Sequence, residues 1–150
     1  MNKKLLYFSA GAVFLLDRLL KICWGDKHFT LIPHILAVNG THNTGMAFGL
    51  FAGQTLPLIL ITLLVLTGLF LYLRSHPLHT LEQFSLGLTI GGALGNLFDR
   101  VAYGYVIDML EPLFIHFFIF NIADAGITVG AVLLGAAILF GKEDTKDGNA

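Results

Sequence analysis

The segment Gly91-Gly-Ala-Leu-Gly-Asn-Leu-Phe-Asp-Arg100 decides how this chain folds. It ends a long apolar run, and its polar residues Asn96, Asp99 and Arg100 follow one another at i, i+3 and i+4. At that spacing they share one face of a helix. An acid and a base buried together at the end of an apolar helix are costly, so we interpret this segment as part of a functional site.

The rest of the chain is strongly apolar. Its 150 residues are 55% hydrophobic and only 13% charged, whereas about a quarter of the residues of a soluble domain are charged. This composition predicts a membrane protein whose residues 1–150 form a single domain. The net charge of -1 and the lack of a basic run predict no nucleic-acid binding. One cysteine excludes an internal disulfide, and the six histidines lack metal-ligand spacing, so no metal or cofactor is expected.

Four apolar segments are long enough to cross a bilayer as helices, which takes about 20 residues. The predicted spans are residues 4–24, 56–73, 81–98 and 117–140, followed by a disordered charged tail at 141–150. A cleavable signal peptide is the alternative for the first segment, but no small-x-small cleavage site follows it. The glycines at 87, 91 and 95 recur every fourth residue and predict close helix packing in the third span.

Two connecting segments, 25–54 and 101–118, do not span. Short strands are expected at 28–36, 41–51 and 106–110, because β-favouring residues lie between turn formers there. The last of these strands has Asp108 in its middle. The run His42–Gly49 is either a hairpin turn or a place where the backbone closely approaches a ligand, since asparagine and glycine allow both.

The distribution of lysine and arginine predicts the topology. Most of these residues lie in the N-terminus, the loop after the second span and the C-terminal tail, so both termini are expected in the cytoplasm. Polar residues then collect at the outward ends of the spans: Asp17 with Lys21, Asn96 with Asp99 and Arg100, Asp108, and Asn121 with Asp124. Unrelated ion pairs have no reason to share one depth. We therefore expect a single polar site near the outer membrane boundary.

Asp108 and Asp124 form the candidate catalytic pair. Two carboxylates in a low-dielectric site share one proton, because both cannot ionise together. One then activates water while the other protonates or polarises the scissile carbonyl, as in an aspartic peptidase. Cys23 with His28 is a nucleophilic alternative that lacks a third member. A small proton-coupled transporter and a non-catalytic membrane scaffold are the alternatives from other classes, since intramembrane acids also mark ion paths.

The motifs resemble those of lipoprotein signal peptidases, the bacterial type II signal peptidases of aspartic peptidase family A8. Five blocks follow the family order over about residues 10–130: Asp17-x-x-x-Lys21, Asn43-Thr-Gly-Met-Ala-Phe48, residues 91–100, Val106-Ile-Asp108 and Phe120-Asn-Ile-Ala-Asp124. Five ordered blocks are far more specific than any one alone. The departures from the family pattern are Leu20, Met46, Met109 and Phe118. They affect the expected shape of the pocket but remove no acid or amide.

The resemblance implies an all-α inner-membrane protein with four transmembrane helices, a small extracytoplasmic β-cradle and a short amphipathic periplasmic helix. It implies an endopeptidase that removes the signal peptide from diacylglyceryl-modified prolipoproteins by cleaving before the lipidated cysteine. Membrane lipid and globomycin-type inhibitors are the other expected partners, and a monomer is expected. By motif, Asp108 and Asp124 are the dyad. The residues expected to line, brace or support the site are Asp17, Lys21, Asn43, Gly45, Asn96, Asp99, Arg100, Asn121 and Ala123.

Overall fold

The computed structural model describes residues 3–46 and 50–140, which form four helices and one small sheet. The helices are α1 (Lys4–Trp24), α2 (Thr55–Ser75), α3 (Thr80–Tyr103) and α4 (Ile122–Phe140). The strands are β1 (His28–Ile32), β2 (Leu36–Asn43) and β3 (Val106–Pro112). The tail at 141–150, expected to be disordered, lies outside the described residues.

Two of the described helices, α2 and α4, are long and apolar enough to cross a membrane, with mean hydropathies of 2.5 and 2.0. Many of their apolar side chains point away from the protein, as Leu64 and Leu139 are 74% and 77% exposed. Outward-facing leucines suit a helix whose surroundings are lipid tails. Helices α1 and α3 have 21 and 24 residues, and they carry Asp17, Lys21, Asp99 and Arg100.

Helix α3 is central, because it packs against α1 on one side and against α4 on another. The packing is close because glycines line the contacts. A Cβ atom on Gly91 would overlap the backbone of Ala10 in α1, and a Cβ atom on Gly92 would overlap the backbone of Ala123 in α4. The glycine spacing in the sequence therefore marks a helix-packing surface, which brings the polar residues of the three helices together.

β2 is the central strand of the antiparallel sheet. It pairs with β1 on one side and with β3 on the other, and its pairing with β3 shifts register between Val38 and Thr41. The buried side chains Val38, Met109 and Leu110 form an apolar cluster, against which Leu20 of α1 packs. The sheet is thereby fixed on the C-terminal end of α1, and β3 is held beside the helices.

Helix α4 begins later than the sequence pattern predicts, at Ile122 instead of near residue 117. The reason is that Phe120 belongs to the sheet. Its N–H donates to Leu110 O (3.0 Å), and its carbonyl accepts from the N–H of Leu110 (2.8 Å). Helix α3 continues to Tyr103 and ends at Gly104, whose φ of 82° is the left-handed conformation that glycine adopts readily.

The short amphipathic helix implied by the resemblance is not found in the connecting segments as far as the structure describes them. Apart from the last residues of α3, these segments form strands, turns and irregular stretches where they are described. In the described part of the loop after β2, the N–H of Met46 donates to Leu50 O (2.7 Å), which closes a turn instead of a helical ladder.

β2 also runs through Gly40, where the pattern predicts a break between two strands, because the N–H of Gly40 donates to Lys27 O (2.9 Å).

Candidate active site

One asparagine links the two candidate catalytic carboxylates. Asn121 immediately precedes α4 and forms a reciprocal cap with Asp124 in its first turn. The N–H of Asp124 donates to Asn121 Oδ1 (2.9 Å), and the N–H of Asn121 donates to Asp124 Oδ2 (3.3 Å). The side-chain amide of Asn121 donates to Asp108 Oδ1 (2.6 Å), which brings the middle of β3 to the start of α4.

Each carboxylate has a further amide donor. Asn43 Nδ2 donates to Asp108 Oδ2 (2.9 Å), and Asn96 Nδ2 donates to Asp124 Oδ1 (2.7 Å). Asn43 is itself oriented, because its Oδ1 accepts from the N–H of Gly45 (2.9 Å). All four carboxylate oxygens therefore accept hydrogen bonds, and the donors come from three segments: β2, α3 and the residue before α4.

Asp108 is buried, and its electrostatic environment is that of a proton-exchanging group. Burial, followed by the charge of Asp124, raises the pKa of Asp108 to about 7, although hydrogen bonds from Asn43 and Asn121 and the charge of Lys21 oppose this rise. A carboxyl group with this pKa can both hold and release a proton near neutral pH, as general acid–base catalysis requires.

A cleft of about 420 Å³ opens beside the carboxylates. Its polar wall carries Asp108, Asp124, Asn43, Asn96 and Arg100. The rest of the lining is largely apolar and includes Ile61 of α2 and Ile127 of α4. Arg100 is held in place by donating to Gly45 O (3.1 Å). The cleft therefore offers a bound segment acid, amide and guanidinium groups together with apolar side chains.

A buried charge cluster lies next to this polar wall. Lys21 Nζ contacts Asp17 Oδ2 (2.9 Å), Asp99 Oδ2 (2.7 Å) and Asn96 Oδ1 (3.1 Å), so all three of its N–H donors are used. The side chains of Lys21, Asp17 and Asp99 are fully buried. Because Asn96 also contacts Asp124, the cluster extends from α1 through α3 to the first turn of α4.

Arg18 is the supporting residue that the sequence analysis misses. Its Nη1 contacts Asp99 Oδ1 (2.6 Å), and its Nη2 contacts Asp17 Oδ2 (3.1 Å). The charge count is the signal that could have revealed it, since Asp17 and Asp99 are two acids and Lys21 is a single base. The apolar wall residues of α2 are also missed, because nothing in a uniformly apolar helix distinguishes the face that lines a cleft.

The structure places the remaining predicted site residues in the same region. Ala123 is fully buried, and its N–H donates to Asp17 Oδ1 (3.0 Å). The alternative nucleophilic pair gains no support, since Cys23 is exposed and His28 Nδ1 pairs with Asn39 Oδ1 (2.8 Å). The four departures from the family pattern divide into two kinds. Leu20 and Met109 lie in the apolar cluster under the sheet, while Met46 and Phe118 line the cleft.

A family model for signal peptidase (SPase) II matches residues 9–140. The chain belongs to this family. It is 39% identical over 143 residues to the lipoprotein signal peptidase of Clostridium acetobutylicum, which covers 89% of this chain and 92% of that protein. It is 38% identical over 151 residues to the lipoprotein signal peptidase of Streptococcus pyogenes serotype M5, with 96% of this chain and 98% of that protein covered.

Solved structures agree with this membership. A bacterial membrane enzyme determined by the in meso method at 2.3 Å resolution has a TM-score of 0.85 and 28% identity, over 97% of this chain and 93% of that one. A second bacterial membrane enzyme, determined by the same method at 1.9 Å resolution, has a TM-score of 0.78 and 30% identity. The match covers 93% of this chain and 94% of that one. The chain is a bacterial membrane enzyme, an aspartic endopeptidase that cleaves the signal peptides of prolipoproteins. The predicted family and activity are confirmed, whereas the transporter and scaffold alternatives are not supported.

Proposed function

We propose that Asp108 and Asp124 are the two catalytic carboxylates of this signal peptidase. The observation that carries the proposal is the hydrogen bonding of Asn121 to both of them at the wall of one cleft. Asp99 also lies near, but it is buried in contact with Lys21 and is not among the described residues that line the cleft. Among the described residues, Asp108 and Asp124 are the carboxylates that line this cleft.

The two carboxylates take different roles in the proposed reaction. Asp108 begins protonated, in keeping with the raised pKa of its buried carboxyl group. Asp124 begins ionised, because it lies in the first turn of α4, where the helix dipole favours a negative charge. Asp124 takes a proton from the attacking water while Asp108 donates a hydrogen bond to the scissile carbonyl. As the tetrahedral intermediate collapses and the C–N bond breaks, Asp124 passes the proton it took from water to the leaving amine, which leaves Asp124 ionised and Asp108 protonated again.

The proposed substrate is a prolipoprotein whose cysteine already carries diacylglycerol, with cleavage just before that cysteine. The apolar part of the cleft lining supports this, because Ile61 and Val65 of α2 and Ile127 of α4 line the cleft together with its polar residues. A signal helix and acyl chains can enter such a cleft sideways from the bilayer without passing through water. Globomycin-type cyclic peptides would compete for the same cleft.

The proposed membrane arrangement has four spans, with both termini in the cytoplasm and the cleft near the outer leaflet of the inner membrane. The lengths of α1 and α3 support this, because helices of 21 and 24 residues reach across a hydrocarbon core of about 30 Å. The basic residues Lys3, Lys4 and Arg74 lie at the ends of α1 and α2 that the positive-inside rule assigns to the cytoplasm. A monomer completes the proposal.

The test is cleavage of a diacylglyceryl-modified prolipoprotein by the purified enzyme, with and without globomycin. Asp108→Asn and Asp124→Asn should each lower kcat by about 10³-fold or more, because each removes an exchangeable proton site. Asp26→Asn is the matched control, since the Asp26 side chain is 92% exposed and should leave kcat unchanged. Wild-type cleavage by a folded Asp108→Asn or Asp124→Asn enzyme would show that the dyad is assigned wrongly.

A further inference from the structure

Asp17 and Asp99 each accept a hydrogen bond from the backbone of the residue immediately before a proposed catalytic aspartate. Asp17 Oδ1 accepts from the N–H of Ala123 (3.0 Å), which precedes the aspartate of α4. Asp99 Oδ2 accepts from the N–H of Ile107 (3.2 Å), which precedes the aspartate of β3. The distance between these two supporting carboxylates therefore influences how far apart the catalytic pair is held.

Two cations bridge the supporting carboxylates. Lys21 Nζ lies 2.9 Å from Asp17 and 2.7 Å from Asp99, and its third donor is used by Asn96. Arg18 makes a second, independent bridge with two different nitrogen atoms, 3.1 Å from Asp17 and 2.6 Å from Asp99. A planar guanidinium fixes the separation and the angle of the two acids at once, which a single ammonium cannot do.

The position of Arg18 is itself restricted. Its guanidinium carbon lies 4.9 Å from the centre of the Phe98 ring, and its side chain is only 14% exposed. Without Arg18, the two fully buried carboxylates would share the single charge of Lys21. Their mutual repulsion would then favour a wider separation, and the backbones bonded to them would move as well.

We infer that Arg18 is a positioning residue that clamps Asp17 to Asp99 and thereby sets the spacing of the catalytic pair. The inference rests on the proposed assignment of Asp108 and Asp124. Arg18 is not among the described residues that line the cleft, so it does not contribute to substrate binding directly. Its loss should lower kcat and leave KM nearly unchanged.

The experiment compares Arg18→Gln and Arg18→Lys with a matched control, Arg74→Gln. Arg74 also lies over a phenylalanine ring, at 5.8 Å from the centre of Phe70, but it is exposed at the end of α2. Arg18→Gln should lower kcat by about 10- to 100-fold and keep KM within about twofold of the wild-type value. A displacement of about 1 Å at the reacting groups lowers the rate by about that factor. Arg18→Lys should have a kcat between those of Arg18→Gln and the wild type, because lysine keeps the positive charge but lacks the planar guanidinium. Arg74→Gln should match the wild type.

A wild-type kcat in folded Arg18→Gln, or a loss confined to KM, overturns the inference. If Arg18→Gln fails to fold, the kcat of Arg18→Lys tests the inference instead. A lowered kcat supports the clamp and an unchanged kcat overturns it. Asp108→Asn and Asp124→Asn are assayed in parallel. If they stay active, the proposed dyad fails, whereas their inactivity beside a fully active Arg18→Gln removes only the role of Arg18.

Discussion

The side-chain amide of Asn121 donates to Asp108 Oδ1 over 2.6 Å, and it does so from a fully buried position. The same nitrogen lies 3.1 Å from Asn96 Oδ1 and 3.3 Å from Ile107 O. An amide nitrogen carries two N–H donors, so three acceptors surround two donors and none of the donors is left free. Asn121 therefore holds the carboxylate of Asp108, a proposed catalytic residue, in one orientation before any substrate binds.

Replacing Asn121 with alanine should damage both catalysis and folding. The substitution removes the donor to Asp108 and the cap of α4. We expect kcat to fall by about 100-fold, because the carboxylate is no longer oriented. We expect the free energy of unfolding to fall by about 1–3 kcal/mol, because buried acceptors lose their partner. Both are measured on the purified enzyme in detergent, by substrate cleavage and by thermal unfolding.

Asn39→Ala is the control for this prediction. Asn39 lies on the same strand as Asn43, but its side chain bonds to Glu111 (3.0 Å) and His28 (2.8 Å) outside the cleft. Its replacement should leave kcat unchanged. Equal kcat values for the wild type and for folded Asn121→Ala would contradict the orienting role of Asn121.

Lys21→Met should be among the more destabilising single changes in the chain. It leaves Arg18 as the cation in contact with both buried carboxylates, Asp17 and Asp99. Removing one partner of a buried ion pair costs about 3–5 kcal/mol, because the remaining charge is uncompensated. Thermal unfolding in detergent measures the loss. Lys27→Met, at an exposed position, should unfold at the wild-type temperature. A Lys21→Met enzyme as stable as this control would contradict the prediction.

Two glycines on facing helices offer a matched test of helix packing. A Cβ atom on Gly91 would overlap the backbone of Ala10, whereas a Cβ atom on Gly11 would meet nothing within 4 Å. Gly91→Ala should therefore push α1 from α3 and lower the free energy of unfolding by about 1–3 kcal/mol. Gly11→Ala should be neutral or stabilising by up to about 1 kcal/mol, because alanine is the better helix former. Equal unfolding temperatures for the two variants would contradict the packing account.

Local patterns in the sequence predict the parts of the site that lie on one helix. Asp17 and Lys21 share a helical face at i, i+4, and the structure pairs them at 2.9 Å. The same reasoning groups Asn96, Asp99 and Arg100 on α3. These predictions need only the helical repeat and the length of an apolar run, which are properties of a few neighbouring residues.

The contacts between distant segments could not be derived from spacing in the same way. Asn43 and Asp108 are 65 residues apart, and Asp17 and Ala123 are 106 apart. Their meeting depends on the register of β2 with β3 and on how closely α3 packs against α1 and α4. The late start of α4 has the same origin, since the pairing of Phe120 with β3 overrides its apolar helical pattern.

The raised pKa of Asp108 predicts an alkaline limit to activity. The proposed reaction needs one proton on the pair, and the pKa of Asp108 is raised to about 7 by burial and then by the charge of Asp124. We therefore expect kcat/KM to fall as the pH rises above about 7. The apparent pKa of this profile belongs to the pair of carboxylates and not to Asp108 alone. The measurement is cleavage between pH 5 and 9. A profile that is flat from pH 6 to 9 would contradict it.

The same shift predicts how stability depends on pH. The pKa of Asp108 rises from 3.8 to about 7 on folding, so between these values the folded protein keeps a proton that the unfolded chain releases. Raising the pH through this interval favours the unfolded chain, and the stabilisation present below about pH 4 is lost by about pH 7. The asparagine of Asp108→Asn cannot titrate, so the free energy of unfolding of this variant should lack this part of the pH dependence. Thermal unfolding in detergent from pH 5 to 8 measures it, with Asp26→Asn as the exposed control. Parallel curves for the wild type and Asp108→Asn would show that Asp108 does not bind the proton in the folded state.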